Sequence, residues 1–187
     1  MAGGQSGDGA LCHTGRWCAD LAGAAPERRP MRLGYVQSAK RGMTDRLLTE
    51  LALRLRPDVA ALVSPDPQDN LLLHLWPADL RWPIRQDLGR GAAACTLDST
   101  ALEGAVFRLS QDLARLPCNV PVILNKFGRQ EAEGHGLRPL IAQALEAGHP
   151  IILGVPTQTE AAFHAFAGPL AEKLDHDIQG LIDFLRG

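Results

Sequence analysis

Chemistry-bearing side chains are densest in Asn125-Lys126-Phe127-Gly128-Arg129-Gln130-Glu131-Ala132-Glu133-Gly134-His135-Gly136. Lys126 and Arg129 attract anions, and Asn125 adds an amide. Glu131 and Glu133 are carboxylates suited to acid–base or metal work. The apolar run Val120–Leu124 ahead of this segment reads as a buried strand, and Leu137–Leu145 beyond it has helical spacing. A strand that breaks into a polar, glycine-rich turn and then a helix is where open α/β sheets place ligands. The spacing therefore predicts an anion pocket, most simply for a phosphate-bearing ligand.

A second junction of this kind is Val36-Gln37-Ser38-Ala39-Lys40-Arg41-Gly42-Met43-Thr44. A phosphate loop needs a strand, a turn of converging amides and a helix start aimed at the anion. Its usual form is G-x-x-x-x-G-K-S/T. Here Gln37 stands at the first glycine, Gly42 at the second, Met43 at the lysine and Thr44 at the hydroxyl. The lysine that clamps the β/γ-phosphates is missing. Lys40 or Arg41 could supply that charge from the turn, and Lys126 could supply it from the other junction. A plain strand–turn–helix with solvated cations is the alternative for this segment. For Glu131 and Glu133 the alternative is a solvated turn before a helix.

In phosphate-loop enzymes the strand equivalent to Val120–Leu124 ends in a carboxylate that holds Mg²⁺, often followed by a glutamate that activates water. Asn125 and Lys126 occupy those places. An amide without charge is a weak magnesium ligand. Lys126 would need a strongly lowered pKa to act as a base.

A third polar turn, Gln86-Asp87-Leu88-Gly89-Arg90-Gly91, offers Asp87 to a metal or to Arg90, and Arg90 to a phosphate. Thr157-Gln158-Thr159 follows another apolar run, and its place at the same sheet edge would let it touch a base or sugar. Of the scattered histidines only His135 falls in a candidate loop. There is no H-E-x-x-H and no G-x-S-x-G, so neither a zinc protease nor a serine hydrolase is supported. Cys12, Cys18, Cys95 and Cys118 have no zinc-knuckle or disulfide-framework spacing.

The elements that must position these residues alternate in type. Strands are expected at Leu33–Val36, Val59–Val63, Leu71–Leu75, Leu80–Arg85, Val120–Leu124 and Ile151–Val155, with Leu71–Arg85 a possible local hairpin. Thr44 or Asp45 is expected to cap a helix carrying Leu47, Leu48, Leu51 and Leu55, which Pro57 ends. Asp98, Ser99 or Thr100 opens a long helix, and Thr100 with Glu103 fits a capping box. Further helices follow from Leu137, closed by Gly148, from Thr157 or Thr159 through Phe163 and Phe166, and over Asp177–Leu185. This alternation predicts an α/β fold of three layers with a mainly parallel sheet.

At 187 residues one domain is the default, and 45% apolar with 21% charged residues is ordinary for a globular chain. A net charge of −2 carries no polybasic signature for nucleic acid, and no apolar run is long enough for membrane insertion. Residues 1–30 are rich in Gly, Ala and Arg without periodicity. They read as a disordered extension, with no secretory signal, ahead of a single α/β domain over 31–187. Met31, just before the first strand, is a candidate natural start. A cytoplasmic location is expected.

Leu33-Gly34-Tyr35-Val36, Arg41-Gly42-Met43-Thr44-Asp45-Arg46-Leu47-Leu48, Gln86-Asp87-Leu88-Gly89 and, most specifically, Asn125 to Gly134 resemble a bacterial family of unknown function. Its members are described as nucleoside-triphosphate-binding and are often associated with molybdate-transport genes. The resemblance spans residues 31–187. That family is in turn similar to small phosphate-loop nucleoside triphosphatases, in which the matching string reads D-E-I-G-K-M-E. Carried across, Asn125 falls on the magnesium aspartate and Lys126 on the catalytic glutamate, while Gly128 and Glu131 match and Arg129 replaces a lysine. The resemblance implies a P-loop-NTPase-like fold with degenerate motifs.

The expected function is binding of a small anionic ligand, nucleotide or oxyanion, at the C-terminal edge of the sheet. Gly42, Thr44, Lys126 and Arg129 carry the anion, and Lys40 or Arg41 closes over it. Three alternatives follow. One is a weak triphosphatase acting on ATP or GTP with Mg²⁺, using Thr44 for the metal and Glu131 as base. Another is a non-enzymatic sensor or partner of molybdate-transport components. The last is a scaffold that binds only protein.

Overall fold

The structure, a computed structural model, describes residues 30–66, 71–86 and 97–187. The Asp87 and Arg90 assignments, three of the four cysteines and nearly all of the expected N-terminal extension lie outside these residues.

Seven strands form one sheet: β1 (Leu33–Val36), β2 (Ala60–Val63), β3 (Leu72–Trp76), β4 (Leu80–Pro83), β5 (Val122–Asn125), β6 (Ile151–Gly154) and β7 (Ala171–Lys173). Their spatial order is β4-β3-β2-β5-β6-β1-β7. β2, β5, β6, β1 and β7 run parallel, and β3–β4 is an antiparallel hairpin on the β2 edge. The helices are α1 (Met43–Leu55), α2 (Ser99–Leu113), α3 (Arg129–Ala132), α4 (Arg138–Glu146), α5 (Glu160–Ala167) and α6 (Ile178–Arg186). Among the described residues no helix is long and apolar enough to cross a membrane.

The central strands are buried at every position because helices cover both sheet faces. Neighbouring side chains on a strand point to opposite faces. Ile123 therefore packs with Leu48, Leu51, Leu181 and Leu185 under α1 and α6. Leu124 packs with Leu109, Leu140, Ile141 and Phe163 under α2, α4 and α5. The three-layer, mainly parallel architecture is the one the alternation predicts, and Leu72–Pro83 is indeed a hairpin.

Two local expectations are corrected, and one strand is new. α1 is capped by Gly42, with φ 76°, and not by Thr44 or Asp45. Glycine reaches this left-handed conformation without a Cβ penalty, and the turn closes through Met43 N donating to Lys40 O at 3.2 Å. α2 is capped by Asp98, one of the three residues expected to open it, whose carboxylate accepts from Ala101 N at 3.0 Å. Glu103, assigned to a capping box, instead accepts from Gly136 N at 3.0 Å, because that distant loop amide needs a partner. β7 was not anticipated: Ala171-Glu172-Lys173 is a three-residue edge strand held by backbone pairing to β1, with no apolar alternation to reveal it.

Candidate functional site

The order of the strands creates a crevice. β1 and β6 are neighbours, but the chain leaves β1 into α1 on one face and leaves β6 into α5 on the other. Where adjacent parallel strands send their connections to opposite faces, the loops part and leave a cleft beyond the carboxyl ends. A cavity of about 320 Å³ occupies that place. Its walls come from the turn after β1, the end of β5 and the segment after β6.

Of the residues singled out in the sequence, Lys40, Arg41, Gly42, Thr44, Asn125 and Lys126 line this one cavity. Lys40 and Arg41 are exposed at its mouth, and Lys126 is half-buried in its wall. Thr157 and Gln158 line its far side. Gln37 is not among the lining residues. Its side-chain oxygen accepts from Lys173 Nζ at 3.2 Å, which turns it toward β7.

Gly128, Arg129 and Glu131 sit elsewhere. They line a second cavity of about 410 Å³, whose floor is Leu62, Leu73, Ile84 and Leu102. Asn125 and Lys126 are common to both cavities and form the partition between them. Arg129 pairs with Glu133 at 2.8 Å on the exposed side of the loop, and His135 is exposed there.

Glu131 is neither a solvated turn residue nor a member of the cation-lined cavity. It is 3% exposed. One carboxylate oxygen accepts from Gly128 N at 2.7 Å, and the other accepts from Leu137 N at 2.9 Å. The side chain ties the start of the loop to the start of α4. Burial pushes its carboxyl above the usual carboxylate range, and the nearby Glu103 adds to the rise. The amide bonds, from Leu137 first, oppose it. A side chain at Gly136, with φ 62°, would collide with this carboxylate.

Two members of the first cavity escaped the sequence reading. Asp45, read as a helix cap, lies in the first turn of α1. Its carboxylate accepts from Asn125 Nδ2 at 2.6 Å, with both residues buried. Gly154 ends β6 beside them. A methyl placed there would sit 2.7 Å from Asn125 Oδ1 and 2.9 Å from Thr44 Cγ2. Signals for both exist only in hindsight: an acidic residue directly behind the Gly42 turn, and a glycine interrupting an apolar strand. Gly154→Ala is expected to destabilise the fold by about 1–3 kcal/mol, the usual cost of overpacking, measured by urea unfolding. A change below about 0.5 kcal/mol, within the range of surface substitutions, would show that Asn125 and Thr44 yield without cost.

A mainly parallel sheet with this crevice, entered by a glycine turn and a helix start, defines an open α/β protein with its candidate site at the carboxyl edge of the sheet. Residues 33–183 match the family described as "Protein of unknown function (DUF2478)", and the chain belongs to it. The molybdenum import ATP-binding protein ModC 2 of Bradyrhizobium diazoefficiens is 38% identical over 92 residues, or 49% of this chain and only 10% of that protein. The crystal structure of THEP1 from the hyperthermophile Aquifex aeolicus superposes with a TM-score of 0.60, covering 83% of this chain and 95% of that one at 11% identity. The solution structure of a human cancer-related nucleoside triphosphatase gives 0.54 over 81% and 95%, also at 11% identity. At that identity the two structures share the fold alone.

Proposed function

We propose that the chain binds the phosphate chain of a nucleotide in the cavity at the ends of β1, β5 and β6. The carrying observation is the convergence of Lys40, Arg41, Gly42 and Lys126, from two distant sequence segments, on one cavity. Lys126 supplies from β5 the charge that Met43 lacks. At about 320 Å³ the cavity is at the small end of ordinary ligand pockets, roomy for a phosphate chain and oversized for one tetrahedral oxyanion. Thr157 and Gln158 then face the sugar or base. A relative named as ATP-binding supports the same ligand class.

The role is binding without efficient hydrolysis. Asn125 and Lys126 stand where a metal carboxylate and a water-activating carboxylate would be expected, and both oxygens of Glu131 are engaged by amides. The site would be used in the cytoplasm. Thr44 supplies a hydroxyl oxygen on the cavity wall that suits Mg²⁺ accompanying the phosphates.

One second reading has an observation behind it. The name of the matched relative concerns molybdenum import, so a molybdate-responsive partner protein is the competing role. Thermal-shift measurements separate the two, with ATP, ADP, GTP, phosphate and molybdate each tested in EDTA and in Mg²⁺. A ligand that binds only the folded state raises the melting temperature. Nucleotide is expected to raise it with no accompanying phosphate release. A shift with molybdate and none with any nucleotide would overturn the proposal in favour of the oxyanion role. Phosphate release by the natural protein that Glu131→Gln abolishes, while the nucleotide-raised melting temperature persists, would favour the triphosphatase.

A further inference from the structure

We propose that Asp45, with Asn125 beside it, is the site for a divalent cation that enters with the phosphate chain, so that the acidic ligand comes from helix α1 and not from the end of β5. This inference rests on the nucleotide-binding reading above.

Two independent observations carry it. The first is electrostatic. Asp45 lies in the wall of a cavity whose other charged lining residues are Lys40, Arg41 and Lys126, and its side chain is held by the neutral Asn125. No ion pair to Asp45 is formed among the described residues. A carboxylate inside a phosphate cavity repels the incoming ligand unless a cation stands between them. The start of α1 favours a negative side chain, but it does not explain why that charge faces an anion site.

The second observation is an orphaned oxygen. A carboxylate can only accept, so Asn125 must turn its amide nitrogen to Asp45 and its carbonyl oxygen away. That oxygen is buried and accepts no hydrogen bond among the described residues. Asn125 is itself 4% exposed. The oxygen lies close over Gly154 and near Thr44, all three residues belonging to the cavity wall. A buried acceptor left unmatched is costly, and such a group calls for a partner that arrives from outside.

A hydrated magnesium-like ion meets both needs. Mg²⁺ is commonly held by one or two carboxylates together with substrate phosphates, and it retains several waters. Asp45 supplies the carboxylate, and the Asn125 oxygen accepts from a water the cation carries. The Asn125→Asp45 bond holds the carboxylate in place for this role.

The test uses Mn²⁺ as the cation and ADP as the nucleotide, with the full chain. In EDTA, ADP alone is expected to raise the melting temperature. Mn²⁺ should add a further shift, and electron paramagnetic resonance should count one bound Mn²⁺ per chain. Asp45→Asn, which can still accept from Asn125, should keep the ADP shift in EDTA and weaken Mn²⁺ binding at least tenfold. Asn125→Asp provides the complementary arm. It should lower the melting temperature without metal, because two carboxylates then face each other, and Mn²⁺ should restore it and bind more tightly than in the natural protein. The proposal is overturned if Asp45→Asn retains the Mn²⁺ increment, or if Asn125→Asp is not restored by Mn²⁺. An intact ADP shift in EDTA with no Mn²⁺ increment overturns the cation site alone. No ADP shift under any condition overturns the nucleotide reading and this inference with it.

Discussion

Replacing Glu131 with alanine lowers the unfolding free energy by about 2–5 kcal/mol, because two loop amides lose their only side-chain acceptor and each unsatisfied buried donor costs about 1–3 kcal/mol. The amides are those of Gly128 and Leu137, 2.7 and 2.9 Å from the two carboxylate oxygens. Glutamine keeps one acceptor and turns an NH₂ toward the other amide, so Glu131→Gln should cost roughly half as much. The pH dependence follows from the raised carboxyl. A folded pKa above the unfolded value means that the folded state holds the proton longer. The stabilising contribution of this group is therefore fully present below its ordinary value of 4.5 and is lost as pH rises through the raised folded value. Neither variant has that slope. Urea unfolding should show the gap between natural and variant protein widest near pH 4.5 and narrower at neutral pH. A gap that does not change with pH would contradict the burial argument. Little or no loss of stability in Glu131→Ala would show that the loop does not depend on this tie.

Lys126→Ala is expected to weaken ATP binding by about 10- to 100-fold, the equivalent of a charged hydrogen bond worth about 1.5–3 kcal/mol. The residue is the half-buried cation at the partition between the two cavities, whereas Lys40 and Arg41 stand exposed at the mouth. Exposed charges are screened by salt far more than half-buried ones. Single alanine substitutions at Lys40 or Arg41 should therefore have smaller effects that fade as salt rises, while the Lys126 effect persists. Arginine would not restore the site fully, since a planar fork does not replace a compact ammonium in a fitted wall. Isothermal titration at two salt concentrations makes the comparison. ATP affinity in Lys126→Ala equal to that of the natural protein would remove the central residue of the proposed site.

The two glutamates of the loop show where residue-by-residue reading meets its limit. Glu131 and Glu133 are two positions apart, polar, and set among glycines and charges, so residue type and local pattern do not separate them, and only the family resemblance singles out Glu131. In the folded protein Glu133 pairs with Arg129 at the surface, whereas Glu131 turns inward. The difference arises because α4 begins at Arg138 and leaves the Leu137 amide pointing into the loop. An acceptor is needed there, and only the fold reveals it.

Much else was legible along the chain. Apolar runs of β length, helical spacing of leucines and turn residues between them are local properties, and they set the element types and the mainly parallel sheet. The positions of Lys40, Arg41, Gly42, Thr44, Asn125 and Lys126 at strand ends were readable in the same way, because such ends share one edge of a parallel sheet. Which of those ends become neighbours depended on strand order, and β6 beside β1 is a long-range choice made by packing both faces. The pairing of Asp45 with Asn125 across eighty positions, the small residue needed at Gly154 and the inward turn of Glu131 belong to tertiary structure alone. Each is a buried polar or steric requirement created by a distant segment, and no local pattern encodes a partner that only folding brings near.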